Sequence, residues 1–394
     1  MDFFPNTFGI PPVWFIVLSI VVAAGILTPT LRYAGRLGWQ FTTYVVITVG
    51  IGLVGIILWQ LTRNPVWDMG ITYVIGMLLL AIAGMGLLLG FVEFGVMRLL
   101  GFFRLGAISY VTYYEALRQP FTLLILLGGL VSIGVTARLG FFTYNEDFKM
   151  YRDVASSFVF LFALPIMVFA STKVIDEEIE NRTMLTLMSK PISRTEVVLG
   201  KYMGVMVLIF VCVGILAIMA AMCSYLRYFD DMSIDFRIAS NDAERVRLLF
   251  DNQKAFLALL PSVVLTFLQV ATLAAISVAI STRFGLAVNV TTVVIIYIAA
   301  SMARYVGGIQ DLPYLVKGFI AVLARLLPGL TILDLNQRLV FSNYILNENK
   351  DWAAGLPTYG LIWQYVGVAL IYSLFYIAGI LSFGIALFRS RELT

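Results

Sequence analysis

The chain has 394 residues, 60% of them hydrophobic and 13% charged, with a mean hydropathy of +0.93. Soluble domains carry about 25% charged residues, so this composition excludes a soluble globular protein and indicates one integral to a membrane. The formal charge of +4 comes without a basic block, which argues against nucleic-acid binding, and the absence of histidine removes the commonest metal ligand and general base.

Residues 1–12 contain Asp2 and no Lys or Arg. A signal peptide wants a positive leader, so residues 13–31 are predicted as a retained span. Arg32 and Arg36 follow it, which places that connection in the cytosol and the N-terminus outside. A second span is predicted over 41–61, an outer loop over 62–70 and a third span over 71–92. Gly86 and Gly90 in the third have the small-xxx-small spacing that lets helices approach closely. The apolar run ends at Glu93. From Arg98 to Gln119, aromatic and aliphatic residues alternate with Arg98, Arg104, Glu115 and Arg118, a pattern that suits an interfacial elbow helix.

Six further spans are predicted over 120–137, 154–175, 202–225, 256–280, 286–305 and 361–388. Pro165 is expected to kink the second of these. Residues 138–153 are expected to form an outer loop, and 226–254, rich in Asp and Arg, a small outer cap. Val316, Phe319, Ile320, Leu323, Leu326 and Leu327 recur at three and four. They predict an amphipathic helix too short and too charged to span, lying interfacial or re-entrant on the outer side. Arg389 and Arg391 place the chain's end in the cytosol. The expected fold class is an all-α polytopic membrane protein of nine transmembrane helices, three plus six. About 13 basic residues then fall in roughly 75 cytosolic loop residues, against about 14 in roughly 120 outside, which favours this orientation.

The span interiors hold almost no ionisable groups, so no proton or sodium relay is evident. Gln269, Asn289 and Gln364 are the main polar residues there, and interhelical hydrogen bonding is their expected role. Cys212 and Cys223, about 16 Å apart along one helix, are too far apart to bridge and read as packing. No phosphate-binding G-x-x-x-x-G-K-[ST] loop occurs: Gly200-Lys201 is followed by Tyr202.

The most polar run is Asp176 to Gly204, between two spans. A helix is predicted from Asp176 to Met188, with Met184, Leu187 and Met188 on one face. Lys190-Pro191 ends it. Ser193 and Glu196 have the spacing of a capping box, which restarts a helix feeding into the span from Tyr202. Glu177, Glu178 and Glu180 read as a solvated or partner-facing charge patch rather than a metal site.

Glu177 to Lys201, with its Asn-Arg-Thr, its Ser-Lys-Pro-Ile-Ser-Arg and its Leu-Gly-Lys, resembles the cytosolic coupling helix of type-2 ABC exporter permeases. It looks closest to the branch named for multicopper-enzyme maturation. Tyr114-Glu115-Ala116-Leu117-Arg118 resembles the segment before the first core span. The resemblance covers residues 109–394. It implies a permease subunit of an ATP-driven export system in the bacterial inner membrane, with no cofactor on this chain. ATP and Mg would be held by a separate cytosolic ABC ATPase, and a second permease subunit, identical or not, would complete the pathway. The implied domains are 1–97 with three additional spans, an elbow over 98–119, and a core over 120–394 whose coupling helix is 176–201. Glu177, Glu180, Arg182, Lys190 and Arg194 are the candidate ATPase contacts. Met184, Leu187 and Met188 would fill an apolar notch, while Pro191 and the Ser193–Glu196 cap stiffen the turn. Glu115 and Arg118 belong to the elbow. The alternative is a membrane scaffold that docks partners and moves nothing. An ATP-driven mechanical transmitter would share the ATPase. The substrate is not legible, because the methionines are scattered in apolar runs where they ordinarily pack.

Overall fold

The computed structural model describes residues 36–61, 71–101, 103–140, 147–180, 193–238, 259–307, 327–334 and 359–389. Among the described residues all regular structure is helical. Helices cover every expected span except the first, 13–31, which lies outside them. Among the described residues, five helices are long and apolar enough to cross a membrane, or six if one bent pair counts as a single span.

The chain divides into two compact units, residues 1–98 and 99–394. In the first, α1 (Arg36–Leu61) packs on α2 (Ile71–Gly90). The contact uses the Gly86/Gly90 spacing. A Cβ at Gly86 would lie 2.8 Å from Thr48 Cγ2, and one at Gly90 would lie 3.0 Å from the Tyr44 ring. Tyr44 donates a hydrogen bond to the Gly86 carbonyl at 2.8 Å. The helix does not stop where the apolar run does. It loosens into a π-helical stretch, Phe91–Val96, and tightens again as α3 (Met97–Leu100). Glu93 is exposed there, and a solvated carboxylate on one face does not end a helix.

The second unit is built around α8 (Leu259–Ser281), apolar on every face and buried along most of its length. Against it pack α6 (Asp147–Glu180), α7 (Arg194–Ile238), α9 (Leu286–Gly307) and α11 (Tyr359–Arg389). The helix α5 (Pro120–Thr136) lies on α6 and α7, and α4 (Arg104–Arg118) lies on α7. The α11 face away from α8 exposes Val368, Ile371, Leu374, Phe375 and Phe383, a surface suited to lipid.

Helix ends depart from the sequence expectation. The elbow helix begins at Arg104, because residues 97–100 close the preceding helix instead. The predicted outer loop 138–153 ends early, since α6 starts at Asp147. That helix passes through Pro165 and Ile175 without a break and ends at Glu180. No separate helix therefore begins at Asp176. Its first turn carries Asp147, an acid where the helix dipole favours one. Likewise α7 runs on from the third core span to Ile238, into the predicted cap.

The predicted amphipathic helix around 316–327 lies outside the described residues except for Leu327. The short α10 (Leu330–Leu333) follows it. Leu333 packs with Leu265 and Leu268 of α8 and with Val366 and Ala369 of α11. The Tyr372 hydroxyl accepts from the Gly329 amide at 2.8 Å, and Tyr365 donates to the Ile332 carbonyl at 2.6 Å. Of the three polar span residues, Asn289 bonds across helices to Thr172 and Ser277. Gln269 is buried and Gln364 exposed. Cys212 and Cys223 are free and buried on α7.

Candidate functional site

The polar stretch Asp176–Gly204 is carried by the end of α6 and the start of α7. Glu177 and Glu180 stand on helical backbone, the last turn of α6. Arg182, Met184, Leu187, Met188, Lys190 and Pro191 lie outside the described residues. Ser193, Arg194 and Glu196 lie within them.

At the start of α7 the capping box is formed in both directions. The Ser193 amide donates to Glu196 Oε2 at 2.8 Å, and the Glu196 amide donates to Ser193 Oγ at 3.2 Å. Two backbone donors that an α-helix leaves open at its first turn are thereby satisfied. These residues precede the apolar run that starts at Tyr202, so they lie ahead of the membrane-spanning segment. The hydrogen bonds from the Ser193 backbone and side chain hold the Glu196 carboxyl below its usual range, and the positive charge of Arg104 adds to this.

Arg194 is used within the chain. One guanidinium nitrogen donates to the Phe388 carbonyl at 3.1 Å, and the group lies 5.7 Å from the Phe388 ring centroid. An arginine there satisfies a carbonyl that the end of α11 leaves open. The first turn of α7 is thus tied to the last turn of α11.

The elbow is tied to the same turns. Ser109 Oγ lies 2.9 Å from the carbonyls of both Leu105 and Gly200, bridging α4 to α7. Gly200 and Gly204 let the two backbones meet. A Cβ at Gly200 would be 2.8 Å from Ile108 Cβ. One at Gly204 would be 2.6 Å from Thr112 Cβ and 2.7 Å from the Ser109 carbonyl oxygen. Sequence reasoning missed this contact. The signal was present, since Gly200 and Gly204 have the same spacing as Gly86 and Gly90. Lys201, between them, is almost fully buried.

From α4 the chain bends 66° into α5. Gln119 at the bend is extended, as the residue before a proline should be, and Pro120 takes the first helical position. Glu115 and Arg118 are exposed on α4, with the Arg118 guanidinium 5.9 Å from the Tyr114 ring centroid. The start of α7 therefore joins the elbow and the last helix. This arrangement can pass displacement between helices.

A protein-family model described as ABC-2 family transporter protein matches residues 143–383. The match begins just before α6, takes in the whole polar stretch, and ends within α11. The elbow piece Tyr114–Arg118 lies ahead of it. No curated protein matches the chain.

Proposed function

Because the chain belongs to the ABC-2 family of transporter proteins, we propose that it is the permease subunit of an ATP-driven export system. It is an integral membrane protein of apolar helices. The family match across 143–383 carries the reading, because it contains the polar stretch together with α6, α7 and most of α11. In this reading residues 176–201 face the cytosol and sit in a cleft of a separate ABC ATPase, which holds ATP and Mg. A second permease subunit completes the path in the bacterial inner membrane. The wording of Glu177–Lys201 supports the multicopper-enzyme-maturation branch.

Closure of the ATPase pair would displace the polar stretch. The capped start of α7 passes that displacement to α4 and to α11, and the helices shift between inward- and outward-facing arrangements. Glu177, Glu180, Arg182 and Lys190 would contact the ATPase, with Met184, Leu187 and Met188 in its apolar notch and Pro191 stiffening the turn. Arg194 serves the permease side of this joint, because it already holds Phe388.

The test is affinity purification of the chain from its native membrane, followed by ATPase assay. An ATPase that co-purifies, and whose hydrolysis depends on this chain, is the expected result. Combined replacement of Ser193 and Glu196 by alanine should then uncouple hydrolysis from transport while membrane insertion persists. Full recovery of the chain with no nucleotide-hydrolysing partner would favour the scaffold reading instead.

A further inference from the structure

The described part of the apolar bundle contains a compact polar cluster: Ser171 and Thr172 on α6, Ser277 on α8 and Asn289 on α9, each 0% exposed. Thr172 donates to the Val168 carbonyl at 2.7 Å, and Ser171 lies 3.0 Å from the same carbonyl. The Ser171 and Ser277 hydroxyls lie 2.5 Å apart, and either can be the donor. Asn289 donates its amide nitrogen to Thr172 Oγ1 at 2.6 Å and to Ser277 Oγ at 2.8 Å. Oδ1 is left buried and without a donor.

Packing alone gives no reason for an amide here. Leucine would fill a similar volume without stranding an acceptor, and a stranded buried acceptor is costly. The position of the cluster supplies a reason. Thr172 lies four residues, about 6 Å, before Asp176 along an unbroken helix. A displacement of residues 176–180 therefore reaches Thr172 with no joint between them. Thr172 is bonded to the amide of α9, which is bonded in turn to the Ser277 hydroxyl of α8.

We infer that Asn289 is a positioning residue for the coupling movement: its amide fixes the end of α6 to α8 and α9. The inference rests on reading 176–201 as the coupling segment. The open Oδ1 keeps this arrangement from being fully satisfied, which suits a contact that breaks and re-forms in each cycle.

Hydrogen exchange followed by mass spectrometry on the full chain in lipid nanodiscs tests it. Thr172→Val, which keeps the shape and loses the acceptor, should raise exchange across residues 174–180 by about tenfold. Asn289→Leu should do the same, and the double variant should add little to either, because both remove one contact. Thr172→Ser should behave as the parent. A role in bulk stability alone would raise exchange in all helices together. That outcome, parent-like exchange at 174–180 in Thr172→Val, or additive single variants, would each overturn the inference. If Asn289→Leu does not fold, Thr172→Val and its serine rescue still decide. This readout needs no ATPase. Its failure leaves the coupling reading standing, whereas absence of a partner ATPase would remove that reading and leave the contact intact.

Discussion

Replacing Gly204 by alanine tests whether the elbow is seated on α7 as described. In an open stretch of helix the change would stabilise, by about 0.5–1 kcal/mol, because glycine has more freedom to lose. At Gly204 the added Cβ would lie 2.6 Å from Thr112 Cβ and 2.7 Å from the Ser109 carbonyl oxygen. The second obstacle is backbone, so no side-chain rotation relieves it, and α4 must move off α7. Overpacking of this kind costs about 1–3 kcal/mol. The net loss is about 0.5–2 kcal/mol, or about 1–8 °C in Tm on the scale of larger proteins. Gly379 in α11 is the control, since a Cβ there meets nothing within 4 Å. Gly379→Ala should hold or raise Tm. The native thiols supply the assay: Cys212 and Cys223 are buried, so a fluorogenic maleimide reports their exposure on heating. A Gly204→Ala protein that melts at or above the parent would refute the seating, as would an equal drop in Gly379→Ala.

Other consequences are as open to measurement. The Ser193–Glu196 cap should weaken in acid. The Glu196 carboxyl is held below its usual value of about 4.3, so the contribution is complete above that pH and is lost as pH falls through the depressed folded value. Exchange protection of the first amides of α7 should therefore be flat from pH 5 upward and decline only below about pH 4. Arg227 on α7 and Asp147 at the start of α6 form an ion pair at 2.6 Å, and Arg227 also donates to the Ala137 carbonyl. Asp147→Asn should cost about 1–3 kcal/mol, seen as a lower Tm in the same thiol assay. In the folded chain neither cysteine should react with maleimide within minutes at 25 °C, and both should react once denatured. Rapid labelling of the folded chain would contradict the packing of α7.

Much of the membrane architecture could be read from apolar runs, because burial and lipid both select the same side chains. The Ser193–Glu196 cap was legible from spacing, since its bonds reach only three residues. Helix ends were not. Hydropathy marks where lipid stops, whereas a helix continues as long as its backbone bonds are made, so α6 and α7 run past their apolar segments. The links of the candidate site were also hidden for a physical reason. Arg194 meets a carbonyl 194 residues away, and Ser109 meets one 91 residues away. Gly200 and Gly204 carried a readable signal that the surrounding charges obscured. Asn289 was legible as an interhelical donor, but its partners Thr172 and Ser277 were not.

The length of α7 has a consequence of its own. Its 45 residues make a rod of about 67 Å, against about 30 Å of hydrocarbon. Were such a rod to tilt as one body about its first turns, where α4 and α11 meet it, small rotations would be magnified. A tilt of about 5° would swing the far tip sideways by roughly 4 Å for a lever arm of about 45 Å. Work delivered at one face of the bilayer would then arrive as a stroke beyond the other, whether what it moves there is a solute or a neighbouring protein.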